Sequence, residues 1–255
     1  MNRILAVAYG AVSYLIFLAA FLYAIGFVGN FVVPRSIDAG VAASTTEAVV
    51  VNVALLGLFA VQHSVMARPG FKRRWTRLVP AAIERSTYVL VASLVLFLLF
   101  WQWRTLPAVV WDVTWTPGRI AVWALFWIGW LTVLASTFMI NHFDLFGLRQ
   151  VYLAWRGEPY PQSQFRSTLL YRYVRHPIML GFIIAFWAAP TMTVGHALFA
   201  IATTAYILIA VRLEEHDLAA ELEPYRDYRR RVPMMIPLHR HAEGQSLPTT
   251  RPRHA

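Results

Sequence analysis

Five stretches of this chain contain no Lys, Arg, Asp or Glu: 4–34, 48–67, 86–103, 120–143 and 176–211. A helix needs about 20 apolar residues to cross the hydrocarbon core of a bilayer, so each of the first four suits one crossing. The last runs 36 residues, and one straight helix of that length would reach about 54 Å, well beyond a bilayer. It therefore folds back on itself. The break is written as Ala189-Pro190-Thr191-Met192-Thr193-Val194-Gly195, where proline removes a backbone donor and its neighbours favour a turn. Six hydrophobic segments result, the last two forming a short, tight hairpin. A hydrophobic content of 58% and a mean hydropathy of +0.51 exceed what one soluble domain of this size can bury. The expected fold class is all-α: an integral membrane helical bundle of five to six transmembrane segments ending in a helical hairpin.

Of the 23 basic residues, 20 fall on the same side of these segments, and only Arg35, Arg104 and Arg119 fall on the other. By the positive-inside rule both termini are cytoplasmic. The same asymmetry accounts for the net charge of +10, with basic loops resting on anionic lipid, so no nucleic-acid partner is required. There is no cysteine, which excludes disulfides, thiolate metal sites and a cysteine nucleophile. The first apolar stretch is too long for a signal peptide and is read as a retained helix. Residues 1–240 are expected to form a single membrane domain, and 241–255 a disordered tail.

Polar groups concentrate in residues 141–177 and 212–237, which flank the hairpin and so must meet in space. In the first piece, Tyr171-Arg172-Tyr173-Val174-Arg175-His176-Pro177 leads into the hairpin, with Pro177 suited to a first helical turn. A helix N-terminus behind Arg175 and His176 would favour a carboxylate or phosphate; an interfacial belt of Tyr and Arg is the alternative. In the second piece, Arg212 and Glu215 share a helical face, and as an exposed ion pair they would contribute little.

Taken together, Arg175-His176-Pro177, then Glu214-Glu215-x-x-Leu218, then Tyr225-x-x-Tyr228 and Val232-Pro233 resemble the isoprenylcysteine carboxyl methyltransferase superfamily, whose members use S-adenosylmethionine within the membrane. The resemblance implies a cytoplasmic cofactor pocket with Tyr171, His176, Pro177, Ile178, Met179 and Glu215 against the cofactor, and Arg175 and Tyr225 beside them. Met179 stands where the family often has Tyr, and Leu222-Glu223-Pro224 where it has Gly. Further motifs, Gln62-His63-Ser64-Val65-Met66-Ala67-Arg68-Pro69, Glu84-Arg85-Ser86-Thr87-Tyr88 and Asn141-His142-Phe143-Asp144-Leu145-Phe146-Gly147-Leu148-Arg149-Gln150, are similar to the membrane methanethiol S-methyltransferases, which make dimethyl sulfide. This extends the likeness over most of the chain. The implied enzyme methylates a small thiol, methanethiol, in a bacterial inner membrane, with lipid as its surroundings and no obligate protein partner.

Methyl transfer between sulfurs is an in-line displacement and requires no metal. The acceptor reacts as thiolate, so a neighbouring cation or base is expected. Arg212, His142 and Asp144 are the catalytic candidates, although Asn141-His-x-Asp144 also reads as a helix cap. His63, inside the second segment, reads either as a helix–helix hydrogen bond or as chemistry. The His63-Ser64 pair also resembles the membrane family related to nitrite and nitric oxide reduction and to haem-containing carotene isomerases, which implies a haem-binding isomerase or redox accessory protein with His63 and His142 or His176 as axial ligands. A prenylcysteine or lipid methyltransferase is the third reading.

Overall fold

Local signals start and stop the helices where the apolar tracts require. In the computed structural model, which describes residues 2–161, 168–221 and 223–236, helix α1 (Arg3–Gly29) starts with the Asn2 side chain accepting from the Ile4 amide and ends at Asn30 in the left-handed region. Helix α2 (Thr45–Ala67) starts on Ser44, whose hydroxyl accepts from the Glu47 amide, as in a capping box. Short α3 (Pro69–Trp75) follows, then α4 (Ala81–Gln102), strand β1 (Val109–Asp112) and α5 (Thr116–Ile140). Next come α6 (His142–Leu145), α7 (Leu148–Arg156), α8 (Pro177–Trp187), β2 (Thr191–Thr193), α9 (Val194–Glu221) and α10 (Glu223–Arg231). Helices α3, α5 and α8 each carry proline in the first turn, where its missing N–H costs nothing. The tail expected at 241–255 lies outside the described residues.

Among the described residues, α1, α2, α4, α5 and α9 are long and apolar enough to cross a membrane. The chain is an all-α integral membrane bundle. The hairpin is less symmetrical than its sequence implies. Helix α8 has 11 residues, about 16 Å, whereas α9 has 28, about 42 Å. The break at Pro190 is not a tight turn either: Thr191–Thr193 pairs antiparallel with β1, Val109 opposite Thr193 and Asp112 opposite Thr191. That small ribbon makes up for the shortness of α8 and closes the bundle at the end away from the basic loops.

The core is concentrated towards that same end. Phe27, Phe100, Trp103, Phe126, Trp130, Phe186 and Phe199 form one cluster drawn from α1, α4, α5, α8 and α9, with edge-to-face contacts such as Phe27 to Trp103 at 5.9 Å. Several buried polar groups in and around it are paired where no water reaches, although the Trp130 indole N–H has no hydrogen-bond partner among the described residues. Asn52 donates to the Arg104 carbonyl at 2.8 Å and accepts from its amide at 2.9 Å. Trp103 donates to the Ile37 carbonyl at 3.0 Å. The basic end is thereby left with fewer aromatic anchors and more polar side chains.

Helix α8 is positioned by close backbone contact with α5. A Cβ at Gly181 would lie 2.7 Å from the Gly129 carbonyl oxygen, and one at Gly129 would lie 2.6 Å from the Ala185 nitrogen. Small residues let two helices approach this closely in a membrane. Gly181→Val is therefore expected to destabilise by about 1–3 kcal/mol through overpacking, seen as a lower thermal midpoint of purified protein in detergent. Gly57→Ala, whose Cβ would meet nothing within 4 Å, should not lower the midpoint and should raise it slightly, alanine being the better helix former.

Candidate functional site

The two polar pieces do meet, and they meet on Glu215. Its side chain sits on α9, 21 residues from Val194, which is about 32 Å along the helix axis and close to one hydrocarbon thickness. Glu215 is 3% exposed. A carboxylate so placed must be compensated. Arg175 supplies a two-pronged pair, Nε to Oε1 at 2.7 Å and Nη2 to Oε2 at 3.1 Å. His176 Nε2 lies 3.0 Å from Oε1, and Arg229 on α10 reaches Oε2 at 3.4 Å.

The chain between α10 and residue 236 returns to fasten this cluster. The Arg175 amide donates to the Pro233 carbonyl and the His176 amide to that of Met234, at 3.0 and 3.1 Å. Arg175 Nη1 donates to the carbonyls of Val232 and Arg229 at 2.5 and 2.8 Å. Tyr228 donates to the Tyr171 carbonyl at 2.5 Å. The two amides just ahead of α8 are thus already engaged by protein carbonyls. Pro177 is buried in the first turn of α8, and Ile178 beside it is half-buried. Met179 packs with Ile207, Val211 and Met235.

Three tyrosines complete this side, and all stay protonated. Burial pushes the Tyr171 hydroxyl up, helped by Tyr228 and Glu214 nearby. Tyr225 is pushed up by burial and by the Glu215 carboxylate. Burial takes Tyr228 to about 12, with Arg175 opposing. A cavity of about 790 Å³ opens beside the cluster, lined by Arg175, Arg226, Arg229 and Arg230 together with Pro233 and Met234. Guanidinium and apolar surface adjoin there, with the Glu215 carboxylate held behind Arg175. Such a lining fits a ligand that carries an anionic group beside an apolar one.

The acceptor-side candidates lie elsewhere. Arg212 is exposed and, among the described residues, makes no ion pair with Glu215. His142 is 5% exposed and lies stacked on Phe138 with ring centres 4.2 Å apart. The Thr137 hydroxyl donates to the Leu134 carbonyl at 2.7 Å, so it accepts from His142 Nδ1–H at 2.8 Å, and Nε2 accepts from Tyr14 at 2.8 Å. Both ring nitrogens are in use. Asp144 accepts from Tyr160 at 2.7 Å and Gln150 at 3.0 Å, and Asn141 caps α6 by accepting from the Asp144 amide. Hydrogen bonds such as these hold α6 and α7 in place, the cap that the sequence also allowed. His63 lies under Tyr88, whose hydroxyl is 2.8 Å from Nε2. A haem held by His142 would have to break one of its two hydrogen bonds.

Sequence reasoning missed Arg229, the carbonyls of 232–234 and the partnership of His63 with Tyr88. The first two had a partial signal in Tyr225-x-x-Tyr228 and Val232-Pro233. Tyr88 lies in the Glu84-Arg85-Ser86-Thr87-Tyr88 motif, but nothing in a separation of 25 residues marks it as the partner of His63.

Two outcomes follow from this geometry. Arg175→Met leaves Glu215 with only His176 and Arg229, and should cost about 2–3 kcal/mol, less than the ~3–5 kcal/mol of a fully orphaned buried charge. The double variant Arg175→Met/Glu215→Leu should regain most of that loss in thermal unfolding. Burial also holds the His142 imidazole below its ordinary value of 6.5, so the native state binds fewer protons than the unfolded chain. Its contribution to stability is full above about pH 6.5 and declines as pH falls. In melting curves from pH 7 to 5, His142→Gln should flatten that decline.

The profile of the NnrU protein family matches residues 51–221. The chain is 68% identical to the methanethiol S-methyltransferase of Mycobacterium tuberculosis, over 94% of this chain and 100% of that protein. It is 50% identical to the methanethiol S-methyltransferase of Crocosphaera subtropica, over 93% of each. Nurim of Mus musculus is 32% identical over 66% of each. No solved structure matches. Descent and architecture agree: the chain belongs to the NnrU protein family, alongside its methanethiol S-methyltransferases.

Proposed function

We propose that this protein is an S-adenosylmethionine-dependent methyltransferase that converts methanethiol to dimethyl sulfide, with its basic face and both termini in the cytoplasm. The observation that carries the reading is the 68% identity, spanning the whole of a methanethiol S-methyltransferase. The Arg175, His176 and Glu215 cluster with its adjoining cavity supports it.

S-adenosylmethionine supplies an electrophilic methyl group on a sulfonium. Arg175 and Arg229 would receive its carboxylate, and Glu215 its cationic end. Tyr171, Tyr225 and the first turn of α8, from His176 to Met179, would flank it. The protein's other tasks are to align two sulfurs and to keep water out. Residues Pro177, Met179 and Met234 supply apolar wall for the second. Glu215 already shares its charge with Arg175, so binding would exchange protein–protein contacts for protein–ligand ones rather than create charge pairs anew.

Membranes holding the wild-type chain, given methyl-labelled S-adenosylmethionine and methanethiol, should release labelled dimethyl sulfide. His176→Ala and Glu215→Ala should each weaken cofactor binding at least tenfold while the protein still inserts. Label recovered in lipid or protein instead of in volatile sulfide would reassign the acceptor. A stoichiometric Soret band from purified protein would replace the cofactor.

A further inference from the structure

One polar cluster has no part in the site above. His63 and Ser64 project from α2 one turn before its basic end, and Tyr88 of α4 and Tyr206 of α9 close over them. The Tyr88 hydroxyl is 2.8 Å from His63 Nε2 and 3.0 Å from Nδ1, and Ser64 and Tyr206 share a hydrogen bond at 3.2 Å. Phe59 stacks on the imidazole with ring centres 5.2 Å apart. A single hydroxyl serves one ring nitrogen at a time, so the other has no partner among the described residues.

Position makes this nitrogen useful. On α9, Tyr206 lies nine residues before Glu215, about 13.5 Å further into the membrane. His63 is half-buried, and on the same helix Val61 and Val65 are exposed on the apolar surface. An apolar thiol dissolved in lipid would therefore meet His63 before it met water. Glu214 provides a link between the two clusters, lying 3.9 Å from His176 Nδ1 and within electrostatic range of Tyr88. The other candidates for proton transfer are committed: His142 has both nitrogens engaged, and Asp144 is held by Tyr160 and Gln150.

Resting on the methanethiol reading above, we propose that His63, oriented by Tyr88, is the base that takes the proton from the acceptor thiol. The S–H bond breaks, the proton passes to the free imidazole nitrogen, and the electron pair stays on the thiol sulfur. That pair forms the new S–C bond as the donor sulfur keeps the pair of the bond it loses, and His63 later returns its proton to water. The ionisable groups around the His63 and Tyr88 pair are Arg85 and Glu84 on α4 and Tyr206 and Glu214 on α9. Arg85, stacked over the Tyr88 ring at 5.4 Å, adds positive potential that favours a thiolate and, by the same charge, hastens the proton from the imidazolium on to water.

The test is His63→Gln in the full-length protein. Its affinity for S-adenosylmethionine should stay within about twofold, while kcat/KM for methanethiol at pH 7 falls by about 10²–10⁴. The variant relies on thiolate formed in solution, so its deficit should shrink by about tenfold per pH unit as pH rises towards the thiol pKa. His63→Ala provides a second reading: imidazole added to the buffer should restore activity at least tenfold. A deficit of equal size at every pH, with no rescue by imidazole, overturns the assignment, as does full activity in either variant. Wild-type protein that forms no dimethyl sulfide overturns the substrate reading and this assignment with it.

Discussion

A carboxylate at 3% exposure, near the level where lipid gives way to headgroups, is the constraint on which the basic end depends. Glu215 cannot stay there uncompensated. To reach it, Arg175 and His176 must stand at the head of α8, α10 must fold back far enough to bring Arg229 alongside, and residues 232–234 must return to hold Arg175 from behind. Three separate pieces of chain are thus bound to one buried charge. The arrangement is specific because guanidinium and carboxylate meet through two parallel bonds.

The opposite end is built on a different principle. There the aromatic cluster and the ribbon of β1 and β2 supply apolar contact and closed backbone pairing, and buried polar groups such as Asn52 pair with nearby backbone, here that of Arg104. The backbone contact of Gly129 with Gly181 connects the two ends, because it sets where α8 begins and so where Arg175 and His176 lie relative to α9. A short helix pinned in this way carries its head group of residues with little freedom.

Much of this was legible in the chain itself. Charge-free tracts marked α1, α2, α4 and α5 to within a few residues, since burying ionised side chains in lipid is costly whatever the fold. Pro190 and its neighbours marked the break between α8 and α9, since proline cannot donate. Arg175-His176-Pro177 and Glu215 were recognisable by their motif. The pairing itself was not: helical spacing directed Glu215 to Arg212, whereas the side chain turns inward to Arg175, 40 residues away. The unequal lengths of α8 and α9 were hidden too, because α9 continues as helix past Arg212 where the apolar tract ends. Periodicity reports what is near along one helix, and the long-range partners Tyr88 of His63 and Tyr14 of His142 lie outside its reach.

Depth explains why such chemistry would sit in a membrane. The acid and guanidinium cluster lies where a charged, water-soluble ligand can enter from the basic face, and the cavity of about 790 Å³ opens there. Tyr206, which bonds to Ser64 next to His63, lies about two and a half turns of α9 deeper, and His63 sits beside a surface that faces hydrocarbon. A thiol as small and apolar as methanethiol offers little area for binding in water, where burial contributes only about 25 cal/mol per Å². Partition into lipid raises its local concentration without any contact from the protein. A soluble enzyme would need a pocket able to exclude water around a single methyl group. Here the bilayer excludes it, and the protein's remaining task is to bring one base and one methyl donor to opposite sides of the same sulfur.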